Sequence, residues 1–366
     1  MNIDDDDLPG GYARVHLQCL TTLRGQNSYI SSLTLAGKFL YAGSSDGEIR
    51  SWDSSTFTSD LSSEQISDNV MAVGKGAVKS LIVLADKLFS AHQDQKIRVW
   101  KITSDKPPLN KRCTKLATLP TLNDRALKVL APKNQVQIRR HKKCTWVHHI
   151  DAVSCLAVST DESLLYSVSW DRTLKVWRTS DFKCLESVAN AHEDAINSVL
   201  ASADGNVYTG SADRRIKMWR KLQGSNNHTP VNLLETHSSG VNALAVNSDG
   251  SLLCSGSSDG AIFVWEKEDE GGKMVAVASL HGHSQSILCL SFVSGIVFSG
   301  SADKTIRIWV SAGKNYSCMA VLQGHKGPVK CLSAVVNHYG PSNSFSVYSG
   351  SLDCSIKVWQ ISLPPF

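Results

Sequence analysis

The sequence predicts an all-β fold, a seven-bladed β-propeller, on three observations. First, seven segments share a core in which an Asp precedes a Trp by six residues. Second, each core alternates as two short strands around a polar turn, and one further strand is expected on either side, which makes four strands per repeat. Third, five of the six intervals between repeat tryptophans measure 42–50 residues, close to the length of a four-stranded propeller blade. The Asp/Trp pairs are Asp46/Trp52, Asp94/Trp100, Asp171/Trp177, Asp213/Trp219, Asp259/Trp265, Asp303/Trp309 and Asp353/Trp359.

The remaining interval, between Trp100 and Trp177, measures 77 residues and predicts an insertion rather than an eighth blade. Residues 101–148 contain no Gly and no Asp-to-Trp core, so the turns that four more strands would need are missing. We therefore expect an insertion at about 103–137, between the third and fourth strands of blade 2, with a short helix over 118–134.

Both ends of the chain point to the last blade. The chain ends directly after the third strand of blade 7, and residues 12–25 resemble the fourth strands of the other repeats. We therefore expect an N-terminal strand to complete the last blade and close the ring, so that a single propeller spans 12–366. Residues 1–11 are acidic and lack the apolar stretch of a signal peptide, and they are expected to form a disordered tail.

Bulk composition sets broad limits on function. A hydrophobic content of 42% and a charged content of 19% fit a soluble globular protein, and a net charge of +5 is too small to indicate a nucleic-acid or membrane partner. The ten cysteines form no Cys-x-x-Cys pair, and several lie inside apolar runs, as expected in a reducing compartment. These features indicate a cytoplasmic or nuclear protein.

The repeat resembles that of the WD-repeat β-propeller family over nearly the whole chain, from "YAGSSDGEIRSW" to "YSGSLDCSIKVW". It departs in one respect, because only Trp52 among the repeat tryptophans is followed by Asp. The segments "LPTLND", "RRHKKCTWVHHIDAVSCLAVS" and "LYSVSWDRTLKVWR" also resemble the plant JINGUBANG-like subgroup. The resemblance implies a non-enzymatic regulatory scaffold that binds a protein or peptide partner, is monomeric by itself and needs no cofactor.

Members of that family join a His, a Ser or Thr, the Asp and the Trp of a repeat in one hydrogen-bond chain, and the resemblance implies such tetrads in blades 3–7. The predicted tetrads are His149–Ser167–Asp171–Trp177, His192–Thr209–Asp213–Trp219, His237–Ser255–Asp259–Trp265, His283–Ser299–Asp303–Trp309 and His325–Ser349–Asp353–Trp359. Blade 1 has Gln26 and Ala42 at the positions of the His and the Ser, and blade 2 has Gly74 at that of the His. The ring is therefore expected to be softer at its start. A hydrolase triad is the alternative, but the set recurs five times, whereas a catalytic site needs one copy in a cleft.

The basic stretch "IRRHKKCTWVHH" leaves alternatives open. We favour an exposed outer strand whose charges prevent edge pairing, but an import signal or a nucleic-acid patch at 139–143 would have the same composition. A zinc site is not expected, because strand alternation points His141 away from Cys144 and His148. Two other functions remain as alternatives, an RNA-binding propeller and a substrate receptor of a cullin-type ubiquitin ligase. The receptor is disfavoured because no repeat tryptophan is followed by Asp-x-Arg.

Trp170 is the strongest candidate for a functional residue. The residue before each repeat Asp is expected in the turn between the second and third strands, where the ring narrows, and six of the seven occupants are small or medium. We expect Trp170 to be exposed there beside Arg172 and Arg214, a composition typical of an interface hot spot. The alternative is that Trp170 packs over a neighbouring tetrad. The predicted partner-binding residues are Trp170, Arg172, Arg214, Gln93, Lys304 and Leu352.

Overall fold

A computed structural model describes residues 15–24, 28–57, 69–103, 112–122, 124, 135–139, 142–221, 224, 227–268, 272–313, 315–337 and 343–364. The described residues form seven four-stranded antiparallel sheets and one separate two-stranded hairpin. The prediction of an all-β, seven-bladed propeller is therefore confirmed. The predicted acidic tail, residues 1–11, lies outside the described residues, and none of the described residues forms a helix long and apolar enough to span a membrane.

Blades 1–3 each consist of four strands that are consecutive in the chain. Blade 1 contains β2 (Ile30–Ala36), β3 (Phe39–Ser44), β4 (Glu48–Asp53) and β5 (Val70–Val73), with a short 3-10 turn (Ser54–Thr56) after β4. Blade 2 contains β6 (Val78–Leu84), β7 (Lys87–His92), β8 (Ile97–Thr103) and β9 (Arg112–Leu119). Blade 3 contains β12 (Val153–Val158), β13 (Leu164–Ser169), β14 (Leu174–Arg178) and β15 (Cys184–Val188).

Blades 4–6 follow the same pattern, and blade 7 takes only three of its strands from the C-terminal end of the chain. Blade 4 contains β16 (Ile196–Ala201), β17 (Val207–Ser211), β18 (Arg215–Lys221) and β19 (His228–Glu235). Blade 5 contains β20 (Val241–Val246), β21 (Leu252–Ser257), β22 (Ile262–Lys267) and β23 (Met274–Leu280). Blade 6 contains β24 (Ile287–Val293), β25 (Ile296–Ser301), β26 (Ile306–Ala312) and β27 (Asn315–Leu322). Blade 7 contains β28 (Val329–Val336), β29 (Ser344–Ser351) and β30 (Ile356–Ser362).

The N-terminal strand closes the ring. Strand β1 (His16–Leu23) pairs antiparallel with β30, with His16 opposite Ser362 and Leu23 opposite Ile356. The first strand of every blade is the innermost one, and β2 contacts both β6 of blade 2 and β28 of blade 7. The predicted closure of blade 7 is therefore confirmed, and β1 covers the outer edge of β30.

The hydrophobic core lies between adjacent blades. The apolar residues of the second and third strands are buried against a neighbouring blade. Trp309 of blade 6, for example, packs with Cys254 and Val264 of blade 5. Trp177 of blade 3 packs in the same way with Phe89 and Val99 of blade 2. Each repeat tryptophan of this kind contacts two blades, so burial of its indole stabilises the packing between blades as well as its own sheet.

The predicted placement of the insertion between the third and fourth strands of blade 2 was wrong. Strand β9 is the fourth strand of blade 2 and pairs with β8, Ile97 opposite Leu119, so most of the extra residues follow β9 and precede blade 3. The physical reason is that β9 pairs with the outer edge of β8, whose backbone groups would otherwise be left without strand partners. The predicted helix over 118–134 overlaps the end of this strand, and residues 125–134 lie outside the described residues.

Part of the insertion forms the separate hairpin, and part of it docks on blade 3. The hairpin consists of β10 (Gln135–Arg139) and β11 (Lys142–Thr145). Nearer to blade 2, the buried side chain of Asp124 accepts the backbone N–H of Cys184, at 3.3 Å, from the outermost strand of blade 3. The insertion thus contributes a hydrogen-bond acceptor to the edge of the next blade.

Candidate functional site

The turns between second and third strands lie together on one side of the ring, which we call the top face. In each turn the residue after the repeat Asp has a positive φ, and in five of the seven it is not a glycine: Gln95, Arg172, Arg214, Lys304 and Cys354. The Asp side chain stabilises this backbone, as in blade 3, where Asp171 accepts the N–H of Thr173 at 2.9 Å. The turns are therefore held from within and present their remaining side chains to solvent.

Beneath the top face, the four residues predicted as the tetrad of blade 6 form one hydrogen-bond chain. The indole Nε1 of Trp309 donates to Ser299 Oγ at 2.8 Å, and this oxygen lies 2.8 Å from His283 Nε2. His283 Nδ1 lies 2.8 Å from Asp303 Oδ2, which also accepts the backbone N–H of Ser284. Because the indole can only donate and the carboxylate can only accept, the whole chain is satisfied by a neutral His283 with its proton on Nδ1.

The structure also brings together the tetrad residues of blades 3, 4, 5 and 7. The indole–hydroxyl and hydroxyl–imidazole distances are 2.7–2.9 Å in all four. The imidazole–carboxylate distance is 2.8 Å in blade 4, 2.9 Å in blade 7, 3.3 Å in blade 5 and 3.5 Å in blade 3. In blade 3 the hydroxyl of Thr173 lies between the two groups, 2.8 Å from His149 Nδ1 and 2.6 Å from Asp171.

Burial and hydrogen bonding set the protonation of these groups. Burial lowers the pKa of His283, and the neighbouring Asp303 only partly offsets this effect. Burial also works against the charge of Asp303, but hydrogen bonds from Thr305 and His283 outweigh it and lower the pKa of Asp303 to about 2. A neutral imidazole that is almost completely buried and already bonded through both nitrogens fits a structural role better than proton transfer to a substrate.

Blade 2 contains the same kind of chain, built from a histidine at a different position. His92, at the end of β7, places Nε2 2.8 Å from Ser90 Oγ, which accepts the indole N–H of Trp100 at 2.8 Å. A Cβ atom on Gly74 would lie 2.2 Å from His92 Cε1, so the glycine leaves the space that this ring fills. Gly74 at the usual histidine position suggested that blade 2 lacks the histidine, but His92 takes its place. The six other blades have a serine at the position of His92.

The repeat Asp of blade 2 has a different partner as a consequence. Asp94 forms a two-point ion pair with Arg98, at 2.5 and 3.0 Å, instead of bonding to an imidazole. His92 Nδ1 lies 3.1 Å from the backbone oxygen of Gly76. Burial lowers the pKa of His92 to about 4, and the charge of Arg98 lowers it as well. His92 is therefore neutral at neutral pH, like the tetrad histidine His283.

Blade 1 lacks the chain in the part that the structure describes. Ala42 provides no hydroxyl group for the indole of Trp52, which is only partly buried, whereas the six other repeat tryptophans are buried. Asp46 is bonded within its own turn, where it accepts the hydroxyl of Ser44 at 2.5 Å. The matching residue at the position of the histidine, Gln26, lies outside the described residues.

All six predicted partner-binding residues lie in the turns of the top face and are exposed. Trp170 is 40% exposed, and its backbone N–H donates to the carbonyl of Ala152 at the start of the same blade. Leu352 of blade 7 is exposed to nearly the same extent. The others are exposed in the turns of blades 2, 3, 4 and 6, respectively: Gln93, Arg172, Arg214 and Lys304. Trp170 is the large aromatic residue among them.

The cation that contacts Trp170 was missed by the sequence analysis. Lys79 of blade 2 places Nζ 5.2 Å from the centre of the indole ring, a cation–π distance. Lys79 is the second residue of β6, the innermost strand of its blade. The expected neighbours Arg172 and Arg214 are on the same face, but the contact with the ring comes from the preceding blade. The signal in the sequence is a lysine where blades 3–5 have Ser or Asn.

Three other chemical alternatives are a metal site, a function of the basic segment and a hydrolase site. Among the described residues there is no group of three or more His, Cys, Asp or Glu that could hold a metal ion. The basic segment 139–143 and His141 fall in or beside the hairpin, whose side chains lie outside the description. The string Gly-Ser-Ser-Asp-Gly at 43–47 and 256–260 matches a hydrolase pattern, but both copies form turns between antiparallel strands instead of the strand-to-helix turn that the pattern needs.

Comparison with known proteins agrees with the repeat structure. The family model described as "WD domain, G-beta repeat" matches residues 17–53, 141–178, 182–220, 228–266, 274–310 and 316–360, which is more than half of the chain. The matched ranges leave out blade 2, the blade with the relocated histidine.

Several curated proteins are similar over part of this chain. Apoptotic protease-activating factor 1 of Danio rerio is 29% identical over 60% of the chain and 16% of that protein. A ribosome biogenesis protein WDR12 homolog of Nematostella vectensis is 25% identical over 59% of the chain and 46% of that protein. Small ribosomal subunit protein RACK1 of Drosophila melanogaster is 31% identical over 44% of the chain and 52% of that protein. The chain thus spans about half the length of these relatives or less.

Proposed function

We propose that this chain, which belongs to the WD-domain, G-beta repeat family, is a non-enzymatic platform that binds a protein or peptide partner on its top face. Propellers of this family bind protein partners, and relatives named for ribosome biogenesis and for the small ribosomal subunit support a place in a larger assembly. We further propose a monomeric regulatory scaffold of the cytoplasm or nucleus, in the plant JINGUBANG-like subgroup. The segments "LPTLND" and "RRHKKCTWVHHIDAVSCLAVS" support the subgroup.

The observation that carries the proposal is the exposure of Trp170 on the top face. A tryptophan that is 40% exposed leaves a large apolar surface in water, at a position where the other blades have smaller or aliphatic residues. Large aromatic side chains of this kind dominate the binding energy of many protein interfaces. Its ring is held by the contact with Lys79, so little side-chain entropy is lost on binding.

The hydrogen-bond chains beneath the top face support the proposal in a second way. The carboxylate of Asp171 accepts backbone N–H groups of Ile150, in the loop that enters blade 3, and of Thr173, in the turn that carries Trp170. Loop and turn are therefore fixed to each other and to the tetrad. A face with a preorganised backbone binds a partner at a lower entropic cost than a mobile one.

The two alternative functions have less support. No repeat tryptophan is followed by the Asp-x-Arg of cullin-ligase substrate receptors. An RNA-binding propeller would need a basic surface, and the top face carries exposed acidic residues as well as basic ones: Asp151, Glu193 and Asp194 beside Arg172, Arg214 and Lys304.

Substitution of Trp170 by Ala tests the proposal. The variant should keep the melting temperature of the wild type within about a degree, because the ring is exposed, and should weaken capture of the partner from native cells by about 2–4 kcal/mol. Leu233→Ala is the matched control, since Leu233 is 47% exposed on the outermost strand of blade 4. Capture at the wild-type level by folded Trp170→Ala protein would contradict the proposal.

A further inference from the structure

The second residue of each innermost strand lies beside the mouth of the central channel, and in four blades it joins its blade to the next. The side chains of Ser31, Ser154, Asn197 and Asn242 donate to the backbone carbonyl of the first residue of the next innermost strand. Ser154 Oγ, for example, lies 2.5 Å from the oxygen of Ile196. Every one of the seven innermost strands also has a register shift at this position, so that the second residue bulges from the sheet.

Lys79, Leu288 and Lys330 interrupt this pattern in blades 2, 6 and 7. Two of the seven positions are therefore cations, and none is an acid. Lys79 and Lys330 are separated around the ring by one blade, which contributes the small residue Ser31. Among the ion pairs of the described residues, none joins the ammonium group of Lys79 or of Lys330 to a carboxylate.

The two lysines occupy corresponding positions at the mouth, in the blades on either side of Ser31. Lys79 lies over the ring of Trp170, which belongs to blade 3. Burial lowers the pKa of Lys79, and the positive charge of Lys330 lowers it further. Lys330 is exposed at the corresponding position of blade 7.

Two cations at one mouth repel each other, and no acidic residue occupies any of the seven corresponding positions. Each ammonium group can donate three hydrogen bonds, and the four Ser and Asn side chains that share the mouth are already bonded between blades. An anion that enters the mouth would relieve the repulsion and would accept hydrogen bonds from both lysines.

We propose that Lys79 and Lys330 bind a carboxylate side chain of the partner, and that the partner segment is an acidic peptide whose neighbouring apolar residue packs on Trp170. This inference rests on the proposed function, which places a peptide or protein on the top face. Its chemistry is a charge-assisted hydrogen bond to two lysines next to an apolar contact on an indole ring.

A peptide fits the surroundings better than a nucleic acid. The loops that enter blades 3 and 4 carry Asp151, Glu193 and Asp194, all exposed on the top face. The exposed carboxylate of Asp151 accepts the adjacent backbone N–H of Ala152 at 2.7 Å. The phosphate backbone of a nucleic acid that crosses the top face would be repelled by these carboxylates, whereas a single carboxylate bound at the mouth would not come near them.

A displayed library of random peptides, selected on the wild-type protein, provides the test. We expect selected peptides to share an Asp or Glu next to an apolar residue and to lose binding to Trp170→Ala. A synthetic copy of the consensus peptide should bind the double variant Lys79→Gln/Lys330→Gln at least about tenfold more weakly than the wild type, since each lost bond involves a charged group. Its affinity for the wild type should fall with added salt, and this dependence should flatten in the double variant.

Control variants separate charge from folding. Lys183→Gln removes an exposed lysine from the turn between the third and fourth strands of blade 3, on the face opposite to the top face, and should bind the peptide like the wild type. Lys79→Arg/Lys330→Arg keeps both charges and should retain most of the affinity. A melting curve of each variant verifies that it is folded.

The possible results distinguish this inference from the proposed function. Peptides that need Trp170 but contain no common acid, or that bind the double glutamine variant as well as the wild type, would overturn the inference and leave the proposed function intact. A single-stranded RNA oligonucleotide that binds more tightly than the consensus peptide, and through the same lysines, would overturn it in favour of nucleic acid. A library without any peptide dependent on Trp170 would contradict both.

Discussion

Blades 3–7 and blades 1–2 support the repeat tryptophan in different ways. In blades 3–7 the indole is bonded to a hydroxyl, and this hydroxyl to a histidine that precedes the blade, as in the bonds of Trp309 and His283 in blade 6. In blade 2 the histidine comes from within the second strand, as His92, and in blade 1 Ala42 offers no hydroxyl at all. The indole–hydroxyl–histidine hydrogen bonds can therefore be retained when the histidine comes from a different position in the blade.

The unusual residues of the top face lie on the same side of the ring as the unusual blades. Trp170, Lys79 and Lys330 belong to blades 3, 2 and 7, and Leu352 also belongs to blade 7. Blades 4–6 have regular tetrads below, and in the matching turn position they have the small residues Ala212, Ser258 and Ala302. The arc of blades 7, 1, 2 and 3 thus carries the unusual surface residues, and its two middle blades, 1 and 2, also differ from the rest in their interior.

The largest expected difference between the two regions comes from removing the repeat Asp. Asp303→Ala in blade 6 should lower the free energy of unfolding by about 2–4 kcal/mol, because the buried His283 loses its acceptor and two backbone N–H groups lose theirs. Asp46→Ala in blade 1 should cost less than about 1 kcal/mol, since among the described residues the Asp46 carboxylate bonds only within its own exposed turn, to Ser44 and to the N–H of Glu48. Guanidinium unfolding of both variants gives the comparison, and equal losses would show that the tetrad adds nothing beyond the turn.

A smaller effect is expected from moving the histidine of blade 2. Gly74→His should cost about 1–3 kcal/mol through overpacking, because its Cβ atom would lie 2.2 Å from the ring of His92. His92→Ser alone should cost a similar amount, since Ser90 loses a partner in the core. The double variant places the histidine sixteen residues before Ser90, the offset of His283 from Ser299, and should recover most of the loss. Additive losses in the double variant would mean that blade 2 cannot accept the arrangement of the other blades.

Most of the fold can be predicted from the sequence, but only part of the candidate site. The period of the Asp–Trp cores is enough to predict seven blades, and the strand-like segment before them is enough to predict closure. The insertion was misplaced because the apolar residues of β9 do not alternate regularly and prolines flank the strand on both sides. His92 was missed because a histidine inside a strand does not match the offset of the other tetrads. Lys79 was missed because its contact with Trp170 joins neighbouring blades, and only the closed ring determines which residues meet there.

The central claim is that the partner binds the top face on the arc that contains Trp170, and a cross-linking scan tests it most directly. A photo-reactive phenylalanine analogue is placed in turn at each of the seven matched turn positions, which are Ser45, Gln93, Trp170, Ala212, Ser258, Ala302 and Leu352. The control has the analogue at Leu233, on the outermost strand of blade 4. We predict strong cross-links to the partner at Gln93 and Leu352, where Trp170 is kept, and weak ones at Ala212, Ser258 and Ala302. Equal cross-linking at all seven turns, or the strongest at Leu233, would contradict the account.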